Sequence, residues 1–342
     1  MLNGHGDDLH DYPDIRINFS SNVYTHFDHT SLFAHLTQML PRVTSYPQPT
    51  PVSLEHALAV HLDLKPDEVM VTNGATEAIY LIAQTYAGSH SAILQPTFSE
   101  YEDACILHRH ECHHCLDLVH ATSFLSPSSI VWICNPNNPT GQVMDKSTLL
   151  HAIISHPSLI FVLDASYAPF TSQPVLSASE TVHLPNVLML HSMTKTYAVP
   201  GLRLGYLTAS PSLLASVRRQ RMPWSVNQPA QDAGLYLLAH SSDYRLDVQA
   251  LMRERQRVAD ALSAMPYIDV MPSDTHILLC RLRRECASSL KSYLAVHHAI
   301  LIRDASNFRG LDASFFRIAV QTREENDMLL RAISDFFQKV MH

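Results

Sequence analysis

The stretch HSMTKTYAVPGLRLGY, residues 191–206, holds one lysine between hydroxyl side chains. Lys195 follows the apolar run VLML at 187–190, and Arg203 stands eight positions after the lysine. A lysine amine acts as a nucleophile only where its surroundings favour the neutral form, whereas an isolated lysine is usually a solvated surface charge. The position of Lys195 directly after a buried strand and between hydroxyl groups favours a chemical role.

Polar residues also follow the apolar run VMVT at 69–72. The next stretch is NGATEAI at 73–79, in which Gly74 permits a tight turn. Ala75 and Thr76 then open a helix whose free N–H groups can hold a phosphate. Taken alone, this pattern is common, so it gains weight only beside the others.

Two further apolar runs end in polar groups. SIVWIC is followed by NPNNPTG at 135–141, a rigid turn with two prolines that directs Asn138 back at the sheet edge. LIFVLD ends in Asp164, and Tyr167 comes three residues later. Because ligands gather at the carboxyl ends of parallel strands, we expect these side chains to meet Lys195 in one site.

The elements that must position these residues alternate in type. Apolar runs separated by helical patterns are typical of a mostly parallel sheet covered on both faces by helices. Beyond about residue 240, the pattern changes to that of a smaller α+β unit. The runs lie at 69–72, 91–96, 129–134, 159–164, 187–190 and 202–209, the helical patterns at 76–87, 146–156, 245–263 and from 322, and the late strands near 277–282 and 315–320.

These patterns predict an α/β fold of the whole chain. We expect an N-terminal arm with a small-domain segment in residues 1–40, a large α/β domain with its sheet sandwiched by helices in 41–240, and a small C-terminal α+β domain in 241–342.

Composition restricts the class of partner. The 342 residues are 46% hydrophobic and 16% charged, and the formal charge of −8 argues against a nucleic-acid binder. No apolar run is long enough for a membrane span, so we expect a cytoplasmic protein whose partners are a small-molecule substrate and itself. Six scattered cysteines predict free thiols.

Three motifs occur here in a distinctive order and spacing. They are NPNNPTG, an aspartate at a strand end, and S-x-T-K followed by an arginine. Over nearly the whole chain, the sequence resembles fold type I pyridoxal 5'-phosphate enzymes of the aminotransferase class I/II group. The resemblance implies that Lys195 forms a Schiff base with this cofactor. It further implies that Asp164 keeps the pyridine nitrogen protonated, that Asn138 and Tyr167 bind the phenolic oxygen, and that Phe98 stacks on the ring.

The resemblance also implies where the cofactor phosphate and the substrate bind. A tyrosine from the neighbouring subunit reaches the phosphate, which implies a homodimer with shared sites. An arginine of the small domain binds the substrate carboxylate. The phosphate residues are Gly74, Ala75, Thr76, Ser192, Arg203 and, from the partner, Tyr46; the carboxylate residue is Arg317.

Several stretches are most similar to L-threonine-O-3-phosphate decarboxylases of the cobalamin pathway and their relatives, the histidinol-phosphate aminotransferases. They include INFSSN at 17–22, PTFSEYE at 96–102 and LIRDASNFRGL at 301–311. Both groups bind a phosphorylated amine, so we expect a second phosphate site from His5, Asn22 and Arg303. Decarboxylation is the main prediction, and transamination is the alternative.

Each role has a competing interpretation. Asp164 is also a plausible helix cap, Phe98 a core residue, Arg317 a partner of a surface carboxylate, and His5 part of an unstructured tail. Three residues also depart from the family pattern, since Ala165 replaces a glutamate, while Thr275 and His276 stand where Ala-Asn is expected; we expect them near the substrate.

The stretch HRHECHHC at 108–115 resembles a metal site in composition. We expect none, because the run lies where a helix ends and an edge strand begins, and alternate strand side chains point to opposite faces. Two alternative interpretations make the protein a non-enzyme: a metal-binding module, or the effector domain of a transcription regulator. The latter needs a fused DNA-binding helix-turn-helix, for which the arm is too short and not basic enough.

Overall fold

The computed structural model of the chain describes residues 9–340. The strands are β1 Ile17–Asn18, β2 Val69–Thr72, β3 His90–Leu94, β4 Glu111–Cys115, β5 Ile130–Cys134, β6 Ile160–Asp164, β7 Val187–Ser192, β8 Gly205–Ala209, β9 Ile268–Val270, β10 Ile277–Leu282, β11 Ile300–Leu301, β12 Arg303–Asp304 and β13 Phe315–Ala319. The helices are α1 Thr30–Met39, α2 Val52–Leu62, α3 Gly74–Thr85, α4 Glu100–Leu107, α5 Leu118–Ser123, α6 Lys146–Ser155, α7 Ala178–Thr181, α8 Met193–Thr196, α9 Pro211–Arg218, α10 Gln228–Ala239, α11 Val248–Ser263, α12 Ala287–His298 and α13 Arg323–Val340.

A seven-stranded sheet in the order β2-β8-β7-β6-β5-β3-β4 forms the centre of the fold. All of its strands run in one direction except β8, which is antiparallel to both β2 and β7. The carboxyl ends of six strands and the amino end of β8 therefore share one edge. The loop that enters β8 reaches the same edge as the loops that leave its neighbours.

Both faces of this sheet are buried, as its apolar runs require. In β5, Ile130 and Trp132 pack into one hydrophobic cluster, while Val131 and Ile133 pack into another on the opposite face. A strand without a solvent-facing side has no polar alternation, because every side chain meets a layer of helices. The expected mostly parallel, helix-covered sheet is confirmed.

The C-terminal part contains a four-stranded antiparallel sheet in the order β12-β13-β10-β9. In it, Arg303 of β12 stands directly opposite Arg317 of β13. Near the N-terminus, β1 pairs in parallel with β11, which attaches the arm to this part of the chain. The short strands of the arm and of the 300–304 segment thus bring distant residues to one place.

The predicted element bounds differ from the structure in a few places. The run 202–209 forms a strand only from Gly205, because Arg203 adopts a left-handed backbone conformation (φ 54°) that interrupts extended structure. The edge strand expected after residue 108 is confirmed as β4. All six cysteines are free thiols, as expected. Among residues 9–340, no helix combines the length and apolar character of a membrane span.

Candidate active site

A cavity of about 720 Å³ opens at the shared edge of the seven-stranded sheet. Its walls come from the loops after β2, β5, β6 and β7, the loop before β8, the arm after β1, and the segment around β12 and β13. Twelve of the residues predicted to form the site line it: Asn22, Ala75, Thr76, Phe98, Asn138, Asp164, Tyr167, Ser192, Lys195, Arg203, Arg303 and Arg317.

One group of cavity residues, here called the anion cradle, lies around the start of α3 and the β7–β8 connection. Gly74 has φ 75°, and a Cβ on it would lie 2.7 Å from Nη2 of Arg203. Only glycine therefore allows the guanidinium to approach this turn so closely. The hydroxyls of Ser192 and Thr194 are 2.7 Å apart beside it. The anion cradle consists of Ala75, Thr76, Ser192, Thr194 and Arg203, all of which line the cavity.

Asp164 is a buried carboxylate at the end of β6, with 5% of its surface exposed. Its Oδ2 accepts a hydrogen bond of 2.6 Å from the hydroxyl of Tyr101, and its Oδ1 accepts one of 2.9 Å from the backbone N–H of Ser166. The ring of Tyr101 stacks on Trp132 in the core. The carboxylate is therefore held in one orientation, and it can pair with a cationic group of a ligand.

Tyr167 lies on the same side of the site as the arm. Its hydroxyl accepts a hydrogen bond of 2.8 Å from Nδ2 of Asn22, 145 residues earlier in the chain. Burial raises the pKa of Tyr167, although the nearby charge of Arg317 opposes that shift. The phenol is therefore protonated at neutral pH and can donate a hydrogen bond to a ligand.

Arg317 is nearly enclosed, with 3% of its surface exposed. It donates through Nη1 to Oδ1 of Asn138 and through Nη2 to the backbone oxygen of Ser20. Its Nε has no hydrogen-bond partner among the described residues. Burial lowers the pKa of Arg317 to about 9, and the charge of Arg303 contributes to that decrease. The guanidinium stays charged at neutral pH in a setting that favours an anion.

Arg303 is the cross-strand neighbour of Arg317 and is also buried. Its Nη2 donates a hydrogen bond of 2.8 Å to Oδ1 of Asn307, and its guanidinium lies 5.6 Å from the ring centre of Phe308. These two supports belong to the segment 301–311 and fix the direction of the side chain. The cavity thus contains two adjacent arginines besides the one in the anion cradle.

Lys195 lies in the short helix α8, directly after β7, and is half-buried. Phe98 packs edge-to-face on Tyr101, with ring centres 5.8 Å apart. Both side chains line the same cavity as Asp164. An amine, a flat apolar face and a buried carboxylate are therefore available to one bound molecule.

Other predicted residues lie elsewhere. Tyr46 is 86% exposed and outside the cavity lining, and its ring contacts Trp224. His5 lies outside the described residues. Gly74 shapes the cavity without lining it.

The three residues that depart from the family pattern lie in a second layer behind the site. Ala165, Thr275 and His276 are buried, and none of them lines the cavity, so their expected position near the substrate stays a prediction. His276 lies behind the arm, with its Nε2 3.4 Å from the backbone oxygen of Asn22. Its ring centre also lies 6.4 Å from that of Tyr167, which lines the cavity.

The sequence patterns missed some cavity residues. Tyr80 lies on helix α3, and Glu100 and Tyr101, quoted within PTFSEYE but given no role, lie on helix α4. On a helix, a residue that faces a ligand looks like one that faces the core. The hydroxyl of Tyr80 donates to Glu100 over 2.8 Å. Asn307 and Phe308 were quoted within a similar stretch, but their support of Arg303 depends on a turn that periodicity does not reveal.

Comparison with known proteins gives the same family throughout. A family model described as Aminotransferase class I and II matches residues 14–333. The threonine-phosphate decarboxylase of Salmonella typhimurium is 31% identical over 334 residues, which cover 94% of this chain and 91% of that protein. A histidinol-phosphate aminotransferase of Parabacteroides distasonis is 29% identical over 303 residues, which cover 85% of this chain and 86% of that protein.

Solved structures of a decarboxylase and an aminotransferase are also similar to this chain. The crystal structure of L-threonine-O-3-phosphate decarboxylase from Porphyromonas gingivalis has a TM-score of 0.91 and 35% identity, and the match covers 94% of this chain and all of that one. Histidinol-phosphate aminotransferase from Sinorhizobium meliloti, solved in complex with pyridoxal-5'-phosphate, has a TM-score of 0.87 at 18% identity, covers 99% of this chain and 96% of that one, and shows the shared fold. Because the family model spans most of the sequence, the chain is an enzyme that belongs to the aminotransferase class I and II family.

Proposed function

We propose that the enzyme uses pyridoxal 5'-phosphate to release carbon dioxide from L-threonine O-3-phosphate, leaving an aminopropanol phosphate. The observation that carries this proposal is that Arg303 stands directly opposite Arg317 on the neighbouring strand. Both arginines line the cavity that also contains Lys195. Two adjacent guanidinium groups in one cavity offer donors to a ligand with two anionic groups. A phosphorylated amino acid offers both a carboxylate and a phosphate. Similarity to threonine-phosphate decarboxylases supports this substrate.

The residues suit the proposed cofactor group by group. The anion cradle offers backbone N–H groups, hydroxyls and a guanidinium for a phosphate. Asp164 would pair with the ring nitrogen, and Asn138 with Tyr167 would bind the ring hydroxyl. Phe98 would cover one ring face. Lys195 would bond to the carbonyl carbon.

When bound, this cofactor supplies a protonated ring that accepts the electron pair of the broken Cα bond. The chain selects the bond, because the one held perpendicular to the ring is the one that breaks. Arg317 and Arg303 would hold the two anionic ends so that the bond to the carboxylate takes that position. The carboxyl group would leave as carbon dioxide, and Nζ of Lys195 would deliver a proton to Cα.

Incubation with L-threonine O-3-phosphate tests the reaction. We expect equal amounts of carbon dioxide and aminopropanol phosphate from the wild-type enzyme and neither product from Lys195→Ala. We also expect a visible absorbance band from lysine-bound cofactor in the wild type, which Lys195→Ala lacks. A colourless wild-type protein that takes up no cofactor would contradict the cofactor assignment.

Transamination of histidinol phosphate is the second candidate. The similarity to histidinol-phosphate aminotransferases extends over 85% of the chain. The pair of arginines also suits a dicarboxylate such as 2-oxoglutarate, the second substrate of such a reaction. If the enzyme releases no carbon dioxide but forms glutamate from histidinol phosphate and 2-oxoglutarate, this function replaces the first.

We also propose that the enzyme is a homodimer in which Tyr46 reaches the partner's anion cradle. The exposure of Tyr46, together with exposed Phe33, Leu40 and Val43 on α1 and the turn after it, supports an apolar interface. Light scattering should give the mass of two chains. Tyr46→Phe should keep that mass and weaken cofactor retention by about five- to tenfold, since one hydrogen bond is lost. An unchanged cofactor affinity would remove Tyr46 from the phosphate site.

A further inference from the structure

Three side chains at the far edge of the seven-stranded sheet form a compact group away from the active site. This group, the β3–β4 cluster, consists of His90, Glu111 and His113. Nδ1 of His90 lies 3.3 Å from Nε2 of His113. The two carboxylate oxygens of Glu111 lie 3.5 Å from these nitrogens, one from each. The cluster is outside the cavity lining and has no part in the proposed reaction.

The separation of the two imidazole nitrogens fits the spacing of metal ligands, and one ligand atom from each of the three residues lies within 4.8 Å of the other two. Four ligands at about 2.1 Å from a zinc ion stand about 3.4 Å from one another, which is the edge of a tetrahedron of that radius. Well-formed N–H···O hydrogen bonds are shorter, at about 2.7–3.2 Å. Two imidazole nitrogens and a carboxylate are also ligands that zinc accepts.

The strands hold the three side chains together. His90 of β3 is the direct neighbour of Glu111 in the parallel pairing with β4. Glu111 and His113 are two residues apart on one strand, so their side chains share a face of the sheet. From the sequence we expect no metal here, because the side chains of alternate strand residues point to opposite faces of the sheet. That reason applies to Cys112 and His114, but not to this set, which draws ligands from two strands.

Neighbouring groups support this orientation. The ring of His113 packs edge-to-face on Phe124, with ring centres 5.0 Å apart, which limits its rotation. His90 is exposed, so its ring can turn toward an ion. Three protein ligands leave a fourth position to water.

We propose that the β3–β4 cluster binds one zinc ion with two imidazole nitrogens, one carboxylate and a water molecule. The ion joins the edge strand β4 to β3 by side-chain bonds in addition to their backbone pairing. A ligand that binds only the folded state raises its stability by mass action. Zinc should therefore stabilise this edge of the sheet without taking part in the chemistry at Lys195.

Zinc titration of the chelator-stripped holoenzyme tests the site. We expect one zinc ion per chain to bind to the wild type and to raise its thermal midpoint. His113→Ala and Glu111→Gln should each weaken binding by more than the ~10–100-fold that removal of a supporting group costs at metal sites. The exposed His56→Ala is the matched control and should bind zinc like the wild type.

Substitution with cobalt gives an independent readout. A tetrahedral Co²⁺ site absorbs visible light much more strongly than an octahedral one, so the wild type should show an intense band that His113→Ala lacks. Equal zinc affinity in the wild type and both cluster variants would overturn the proposal, as would a weak, octahedral cobalt spectrum in the wild type. Because all three ligands lie at the sheet surface, their loss should leave the fold and the active-site absorbance intact.

Discussion

At the scale of single residues, the position of Arg303 limits what the cavity can bind. It stands beside Arg317 on paired strands, and each guanidinium adds to the cost of burying the other. Asn307 and Phe308 contact its guanidinium and fix its direction. Under the proposed function, this guanidinium binds the phosphate of the substrate.

We predict that Arg303→Ala weakens phosphorylated substrates selectively. A charge-assisted hydrogen bond contributes about 1.5–3 kcal/mol, so KM for L-threonine O-3-phosphate should rise roughly 10- to 100-fold. KM for unphosphorylated L-threonine should change much less. Steady-state kinetics on both substrates decide the matter, with the exposed Arg245→Ala as control. An equal rise for both substrates would remove Arg303 from the phosphate site.

The site residues that the sequence predicts are those near the carboxyl ends of parallel strands. Asn138, Asp164 and Lys195 each follow an apolar run, and the ends of parallel strands meet at one edge. Tyr101 also comes after an apolar run, at 91–96, but it lies within helix α4 rather than at a strand end. It reaches Asp164 from helix α4, 63 residues earlier, because the ring packs on the core. Tertiary packing of this kind leaves no periodic signal in the sequence.

At the scale of elements, one ion pair connects the segment 301–311 to helix α4. Arg309 donates to both carboxylate oxygens of Glu102, at 2.6 and 3.2 Å. The segment carries Arg303 and Phe308, while α4 begins beside the cavity. The pair therefore joins the substrate side of the site to the wall that contains Tyr101.

We predict that Arg309→Ala raises KM for the phosphorylated substrate a few-fold and leaves kcat nearly unchanged. The segment would lose a contact worth less than about 1 kcal/mol, because Arg309 is half exposed and the pair is screened by solvent. High salt should raise the wild-type KM toward that of the variant. Arg283→Ala breaks a comparable pair with Asp269 on the same small sheet and serves as control. A fall in kcat with constant KM would contradict the positioning role.

Elements with long patterns are the ones that the sequence predicts. The strands 69–72 and 277–282 match the structure at both ends, since apolar runs bounded by polar residues mark them clearly. The paired strands β1, β11 and β12 have two residues each, too few for any periodicity. The direction of β8 is also invisible in its composition. The domain limits at residues 40 and 240 stay a prediction.

At the scale of the whole molecule, histidines whose pKa is lowered by burial, such as His276 and His191, couple stability to pH. His276 is fully buried, and burial lowers its pKa to about 3. In the unfolded chain, a histidine titrates near about 6.5. The unfolded state therefore binds one more proton than the folded state between these values, so stability falls as the pH drops through this window.

We predict that His276→Gln reduces this acid sensitivity. With the two pKa values above, His276 lowers the free energy of unfolding by about 2 kcal/mol between pH 7 and pH 5. Denaturant unfolding of the holoenzyme at both pH values should show a smaller loss in the variant by that amount. The exposed His56→Gln should behave like the wild type. Identical losses in all three proteins would show that His276 is not the coupled group.

The pairing of strands far apart in the chain has a consequence for the order in which the enzyme assembles. Among residues 9–340, β2 pairs with β8 alone, so the cofactor edge is complete only when residues up to 209 are available. β1 finds its partner β11 at residues 300 and 301. Contacts between residues far apart in the chain form late. We therefore expect the cofactor site to form first during synthesis, and the arm with Asn22 to dock beside the substrate only after residues 300 and 301 have emerged.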